Sequence, residues 1–589
     1  MTKKQVRESA YFEELKWLYM ELYGDENAFE FLVNVLEERL EERLDKGKTA
    51  GKKKTDDNIS LGMMMYTENF GGTLKGVEKK LPYLEECGID YLHLMPLLES
   101  PEGKSDGGYA VADFRKVQPE LGTMEDLENL AAACRKKGIA LCLDYVLNHT
   151  SDEHVWAKAA KAGEPEAQAR YYMYDNWDIP NKFDETTPEV FPETAPGNFT
   201  WVPECGKVVM TSFHSYQWDL NYHNPTVFND MTDNLLYLAN RGVDIIRLDA
   251  IPYIWKQLGT NSRNLPQVHT IVRMMKLASL MVCPEVKLLG EVVMEPKEVV
   301  PYFGTAGKTE CDMLYNVTMM CTLWHTIATK DTRLLRHQME QVYALPKEYI
   351  FQNYLRCHDD IGWGLDYGFL GGFGVDEVAH KKFLSDWFTG NFYGSKARGE
   401  LYNVSHSMGD ARQCGTTASL CGIEASAYEG DEEGVRLGTA CDIMLHAWVL
   451  TQRGIPVIYS GDEVGQLNDY SYHEDPMKLY DSRYIHRGAF DWELAEERKT
   501  PGTVASEIFT ALKELREMRS NSAVFSDDAE MYVMYPDGKD YVWDDSVIAI
   551  KRVLKKETAT GLFNFSPWPK DIVLGGEKHH LEPYGFDWR

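Results

Sequence analysis

The sequence predicts an α/β protein: a (β/α)8 TIM barrel with two long insertions, an N-terminal helical region and a C-terminal β-sandwich. Three observations carry this reading. From Ile59 onward, short apolar runs alternate with helical stretches eight times over. Two of the connections, 149–224 and 361–434, are far longer than ordinary barrel loops. After residue 520 the helical spacing gives way to short strand-like runs separated by turn residues.

Taken in order, residues 5–45 place Phe12, Leu15, Leu18 and Tyr19 at helical spacing. Residues 46–57, KGKTAGKKKTDD, are polar and basic without periodicity, and close an N-terminal region of 1–57 as a linker with solvated lysines. The eight strand candidates are MMMY, YLHLMP, IALCLDYV, VDIIRL, VKLLGE, MLYN, YLRC and IPVIYS, of which MMMY and MLYN carry the weakest pattern. Helices are expected between them, for instance over 124–137 and 225–240. The barrel then comprises 58–148, 225–360 and 435–520. Its insertions, 149–224 and 361–434, follow the third and seventh strands and leave the C-terminal face, where barrel active sites lie. Residues 521–589 hold MYVMYP, SVIAIKRV, ATGLFNFS and DIVL, with turns such as Pro536-Asp537-Gly538, and form the sandwich.

Bulk properties exclude several classes. The 62 basic and 92 acidic residues give a net charge of −30, which argues against a nucleic acid or an anionic membrane surface as partner. The N-terminus is basic but has no apolar core of a signal peptide, and no run is long enough to span a bilayer. Eleven scattered cysteines without a CxxC pair read as thiols in a reducing, cytoplasmic setting.

The chain is organised around GVDIIRLDAIPYIWK, residues 242–256. Gly242 suits the left-handed end of a helix. Residues 243–248 are an apolar run fit for burial on both faces. Arg247 and Asp249, two apart, project from one side of a strand's C-terminal end. An Arg near an Asp is commonly a structural ion pair. Yet an apolar strand has little reason to carry buried charges, and two more such strands follow. VKLLGEVV ends near Glu291, and YLRCHDDIG ends with His358, Asp359 and Asp360. The intervals leave room for at least one strand–helix unit each.

These motifs carry a resemblance. RLDAI, GEVV, CHDDIGW and LDYVLNH resemble the four signature regions of the α-amylase family, glycoside hydrolase family 13. PLLESPEGKSDGGYAV, SYQWDLNY, YIWKQLGT, HDDIGW and YDSRYIHR are similar to the amylosucrase branch of that family from about Ser60 onward. The resemblance implies that 149–224 is a B domain and 361–434 a B′ domain. It implies Asp249 as nucleophile, Glu291 as acid/base and Asp359 as the third carboxylate, which stabilises the oxocarbenium-like state. Arg247 beside Asp249 is expected to keep it ionised, and apolar Leu289, Val292 and Val293 to favour protonated Glu291. His149 and His358 match histidines that bond the glucosyl ring. Asp106 and Arg483 match the pair that closes a one-glucose pocket. Asp360 and Arg412 match fructosyl contacts, Tyr109 and Phe213 match sugar platforms, and Gln217 of SYQWDLNY joins the binding set.

The implied reaction is transfer of glucose from sucrose to an α-1,4-glucan, without cofactor, by a monomer or homodimer. A sucrose hydrolase, an amylase or α-glucosidase, and a non-catalytic binding member are the alternatives. Asn148 matches a residue that ligates calcium in many amylases, though the resemblance implies no required metal. The sequence departs from the family at Pro252-Tyr253, Pro188 and Lys381, all expected to border the acceptor side.

Overall fold

A computed structural model describes residues 2–46, 59–294, 296–405, 410–535 and 544–589. The linker expected at 46–57, apart from Lys46, and the turn at Pro536-Asp537-Gly538 lie outside the described residues. Eight parallel strands close a barrel in chain order: β1 Gly62–Met65, β2 Tyr91–Leu94, β3 Ala140–Val146, β4 Ile245–Asp249, β5 Lys287–Gly290, β6 Met313–Tyr315, β7 Ile350–Asn353 and β8 Ile455–Tyr459. The strands are almost wholly buried, because side chains fill the barrel and helices cover its outside. The weak candidates MMMY and MLYN are both genuine strands, β1 and β6.

One strand differs from its sequence reading. The seventh is Ile350–Asn353, not YLRC at 354–357, which runs on as irregular chain. The displaced reading has a physical cause: β7 ends in two buried amides. Gln352 Oε1 accepts from Tyr91 Oη at 3.0 Å, and Asn353 Nδ2 donates to Arg453 O at 2.8 Å. Satisfied amides are stable inside a barrel but break an apolar pattern.

The first insertion begins with a short strand, His149–Ser151, paired antiparallel with Gln217–Asp219 so that His149 stands opposite Asp219. Between them lies a three-stranded sheet of Met173–Tyr174, Lys207–Met210 and Phe199–Val202. The second insertion holds helix Glu377–Phe388 and the hairpin Glu400–Ser405/Asp410–Cys414, tied to the insertion's own start by a bridge from Gln413 to Ile361. A helix beginning at Glu432, capped by Asp431, then runs through to Thr451.

The N-terminal helices Phe12–Tyr23 and Glu26–Asp45 pack on the barrel's outer layer. Tyr19 Oη donates to Asn229 Oδ1 at 3.1 Å and Arg273 pairs with Glu14 at 2.8 Å. At the other end, Glu530–Met534, Val547–Leu554, Glu557–Asn564 and Phe586–Trp588 form one antiparallel sheet. The hairpin Lys570–Leu574/Glu577–Leu581 packs on it through Val547, Leu562, Ile572 and Leu581. All eleven cysteines are free thiols. Among the described residues no helix is long and apolar enough to cross a membrane.

Candidate active site

The site lies at the C-terminal ends of the barrel strands. Arg247 and Asp249 both end β4, and Glu291 directly follows β5. Parallel pairing of these neighbours brings the two carboxyls onto one guanidinium. Arg247 Nη1 reaches Asp249 Oδ1 at 2.8 Å, and its Nη2 reaches Glu291 Oε1 at 2.7 Å. Ala250, at φ 51°, donates its N–H to Glu291 Oε2 at 3.1 Å. Asp144, the register partner of Arg247 on β3, also pairs with the guanidinium, and His93 on β2 backs Asp144 at 2.9 Å.

This geometry corrects both electrostatic expectations. Arg247 does not hold Asp249 in the ordinary carboxylate range, because it is shared with Asp144 and Glu291. Burial first, then the charge of Glu291, pushes the Asp249 carboxyl up. Glu291 does not sit in an apolar pocket: Val293 is 54% exposed, and the Glu291 carboxyl meets Arg247 and the Ala250 N–H instead. Two interacting carboxyls in a buried site hold one proton between them. One acid and one base is the state that double displacement requires.

Asp359 is aimed into the same space. Its carboxylate meets His358 Nε2 at 3.1 Å, Arg487 at 3.3 Å and Arg483 at 3.4 Å. Burial opposes ionisation, but His358 and the two arginines hold the group well below the usual carboxylate range. His358 stacks on Tyr109 with centroids 5.3 Å apart, and Tyr109 Oη lies 2.6 Å from His358 Nε2.

The far end of the pocket is built by SDGGY. Asp106, Gly107 and Gly108 all have positive φ, at 49°, 65° and 96°. Glycine is required at Gly107, where a Cβ would meet Tyr66 Oη at 2.8 Å and Arg487 at 2.9 Å. This turn delivers Asp106 to Arg483 Nη2 at 2.8 Å, while Asp481 holds the same guanidinium at 2.7 Å. Burial raises the Asp106 carboxyl, but Arg483 and His214 outweigh it and the group lies far below its usual range. Gln217 Nε2 donates to Asp106 Oδ2 at 3.2 Å and lies 3.1 Å from His149 Nε2. Burial pushes His149 down to about 4, so its ring is neutral.

Ten of the thirteen residues singled out from sequence line one cavity of about 140 Å³: Asp106, Tyr109, His149, Phe213, Asp249, Glu291, Asp359, Asp360, Arg412 and Arg483. That is well below the roughly 300–1,000 Å³ of drug-sized ligand pockets, which suits one sugar ring. Gln217, Arg247 and His358 stand behind the wall as its supports. Arg412 Nη1 lies 3.4 Å from Asp360 Oδ2, and its guanidinium sits 5.7 Å over Phe191. A larger cavity, about 490 Å³, opens at the opposite end of the barrel beside Ile245, Lys287, Met313 and Ile350, and holds none of the strand-end carboxylates. Sequence reasoning missed Phe191, Asp144, His93, Asp481 and Arg487. Asp481 and Arg487 stood inside the YDSRYIHR motif, and Asp144 was a lone charge in an apolar strand.

The oxygen donors around Asn148 leave no place for a metal ion, because a side-chain cation stands at their centre. Asn148 Oδ1, Ser212 Oγ and Asp219 Oδ2 converge on the Lys256 ammonium at 3.1, 3.1 and 2.8 Å. The buried cation is therefore a side chain. Cys357, His358 and Asp359 are also grouped closely enough for an ion. There Arg483 and Arg487 already supply the positive charge.

The profile of the alpha amylase catalytic domain matches residues 41–361, more than half of the chain. The chain belongs to the α-amylase family. Among similar proteins, the trehalose synthase of Pimelobacter sp. is 32% identical over 302 residues, covering 50% of this chain and 52% of that one. The glucosylglycerate phosphorylase of Allomeiothermus silvanus is 28% identical over 450 residues, covering 75% and 74%. The chain spans about half the length of the trehalose synthases it matches. Among solved structures, the sucrose 6F-phosphate phosphorylase of Thermoanaerobacter thermosaccharolyticum shares the fold with a TM-score of 0.67 at 18% identity, covering 89% of this chain and 98% of that one. The trehalulose synthase of Pseudomonas mesoacidophila does so at 0.65 and 20%, covering 92% and 99%. This α-amylase family chain thus has a barrel and a strand-end carboxylate set in a small pocket closed by an ion pair.

Proposed function

We propose that this protein is a retaining α-glucosyl transferase that removes one terminal glucosyl unit from sucrose. The observation that carries the reading is the closed pocket: about 140 Å³, with Asp106–Arg483 at one end and Asp249 and Glu291 sharing Arg247. A closed end admits a single ring and refuses the interior of a long chain. Asp249 attacks the anomeric carbon while the bond from that carbon to the fructosyl oxygen breaks, and the proton on Glu291 passes to that oxygen. Fructose leaves. Glu291, now a carboxylate, takes the proton from an acceptor hydroxyl, whose oxygen displaces Asp249. Asp359 offers negative charge to the oxocarbenium-like state between these steps. A maltooligosaccharide or glucan is the proposed acceptor, as in the amylosucrases the motifs resemble.

A second reading keeps the first half-reaction and changes the acceptor. The relatives include a trehalose synthase and a glucosylglycerate phosphorylase, which favours a small sugar or phosphate over a polymer. One experiment separates them: incubation with sucrose alone, with maltose and with inorganic phosphate, measuring fructose, glucose, glucan, trehalose and glucose 1-phosphate together. Glucan, with free glucose well below fructose, supports the amylosucrase-like reading. Equal glucose and fructose, unmoved by added glycogen, means water is the acceptor. Glucose 1-phosphate or trehalose as main product moves the protein to the second reading.

A further inference from the structure

The segment after β4, 257–264, is held in a strained backbone. Ser262 and Asn264 both have φ of 53°, in the left-handed region that non-glycine residues avoid. Contacts on both sides fix them there. Ser262 N donates to Thr260 Oγ1 at 3.1 Å and Gln257 N donates to Ser262 Oγ at 3.3 Å. Asn264 N donates to Pro252 O at 3.0 Å, and its Oδ1 accepts from Tyr302 Oη at 2.7 Å. Between the two strained residues stands Arg263.

Arg263 reaches across to the first insertion. Its Nη2 donates to Pro188 O at 2.9 Å and lies 3.4 Å from Glu189 O. The same guanidinium sits 5.2 Å over the ring of Tyr253. Thr187 Oγ1 adds a longer bond to Thr260 O at 3.5 Å. Val190 and Phe191, which follow the clamped carbonyls, line the pocket, as do Pro252 and Tyr253; Arg263 does not. Tyr253 meets Phe213 edge-on at 5.4 Å, and Phe213 meets Phe191 at 5.9 Å. Arg263 thus ties both ends of an aromatic wall to one rigid loop.

We propose that Arg263 is a positioning residue for the acceptor step. It fixes the 188–191 segment over Tyr253, and so sets the shape of the pocket mouth where the second sugar is held against water. This rests on the transfer reading above. Water is present at roughly 55 M, so a transferase favours sugar by positioning and not by concentration. Arginine suits the task because one planar fork serves carbonyl oxygens at its edge and an aromatic face at once; lysine keeps only a point charge.

The test compares wild type with Arg263→Ala and Arg263→Lys. Hydrogen exchange is followed over 186–196 in the ligand-free protein, with overall folding checked by thermal melting. With sucrose as donor and maltose added, free glucose, fructose and transfer product are measured together. In Arg263→Ala, exchange over 186–196 should quicken by about tenfold and the KM for maltose rise by about tenfold, from loss of one charge-assisted bond and one ring contact. Free glucose should gain on transfer product while the maximal rate of fructose release stays within about twofold. Arg263→Lys should fall between. Unchanged exchange and unchanged partition in a folded Arg263→Ala protein overturn the proposal. So does a fall in fructose release with the partition unmoved. If the wild type releases no fructose, the transfer reading fails by itself, and exchange over 186–196 still decides whether Arg263 is the clamp.

Discussion

Arg247 Nη2 stands 2.7 Å from Glu291 Oε1, joining the end of β4 to the residue that follows β5. The same guanidinium carries Asp249 at 2.8 Å. One cation thus organises two carboxyls, and Asp144 behind it keeps the guanidinium in place. The charge of Glu291 is one of the causes that push the Asp249 carboxyl up, after burial.

Asp249→Asn and Glu291→Gln should each lower release of the leaving sugar by on the order of 10³-fold, since in the proposed mechanism one loses the nucleophile and the other the proton donor. Both substitutions are near-isosteric, so the melting temperature should change little. The two should part on an activated donor such as an aryl α-glucoside. Its leaving group needs no proton, so Glu291→Gln should show a burst of aryl alcohol followed by slow turnover, and Asp249→Asn should show none. Sucrose turnover close to wild type in either variant would remove the assignment.

Much of this site was legible because barrels place function at strand ends. Arg247, Asp249 and Glu291 stood out as charges closing apolar runs. β7 was read four residues late because Gln352 and Asn353, satisfied inside the barrel, break the apolar pattern that marks a strand. Asp144 sat inside a quoted motif, yet its meaning depends on the β3–β4 register that sets it beside Arg247. Lys256 was harder still. Its partner Asp219 arrives from the far end of an insertion, and nothing local to either residue announces the pair. The upward push on the Asp249 carboxyl also escaped the sequence, because an arginine two residues away predicts a lowered carboxyl only when it is not shared.

The pocket floor gives a second prediction. Arg483→Ala removes the partner of Asp106 and one neighbour of Asp359, leaving Asp106 buried without its main counter-charge. Turnover should fall by on the order of 10²-fold, as for a buried pair broken from one side. The pH profile should move too. Asp106 is held low mainly by Arg483 against the cost of burial. Without the arginine its carboxyl rises, so the acid limb of any remaining activity should shift to higher pH. Rate profiles from pH 4 to 8 check this, and full activity with an unshifted limb would make the pair merely structural.

Glu463 offers a prediction about stability. It is wholly buried after β8, accepts from Tyr83 Oη at 2.9 Å and from Gly461 N at 2.8 Å, and burial raises its carboxyl to about 7. A carboxyl raised in the folded state binds more protons there than in the unfolded chain. Stability from this group is therefore present below its unfolded value of 4.5 and is lost as pH climbs towards 7. The loss amounts to about 3 kcal/mol over the window, at roughly 1.4 kcal/mol per unit. Glu463→Gln mimics the protonated form, so its denaturation midpoint relative to wild type should rise between pH 5 and 8. A constant difference across that range would place the proton elsewhere.

The last prediction concerns Lys256. Its ammonium is the cation of a buried cage, held by Asp219 at 2.8 Å and by Asn148 and Ser212 at 3.1 Å each. Burial lowers its proton affinity, and Asp219 opposes that. Lys256→Ala strands Asp219 in the interior, where removing one partner of a buried pair costs about 3–5 kcal/mol. The melting temperature should drop accordingly. The cage that remains is made of oxygen donors: an amide oxygen, a hydroxyl and a carboxylate. Such donors suit calcium, with water entering the space of the lost side chain to complete its shell. Millimolar calcium should therefore raise the melting temperature of Lys256→Ala and leave that of the wild type unchanged, because there the ammonium already holds the place. Equal effects of calcium on both proteins, or a variant as stable as wild type without it, would show that the cage does not depend on a cation. Asn148 adjoins His149 in the pocket wall, so the same calcium titration should restore part of the activity that the substitution removes.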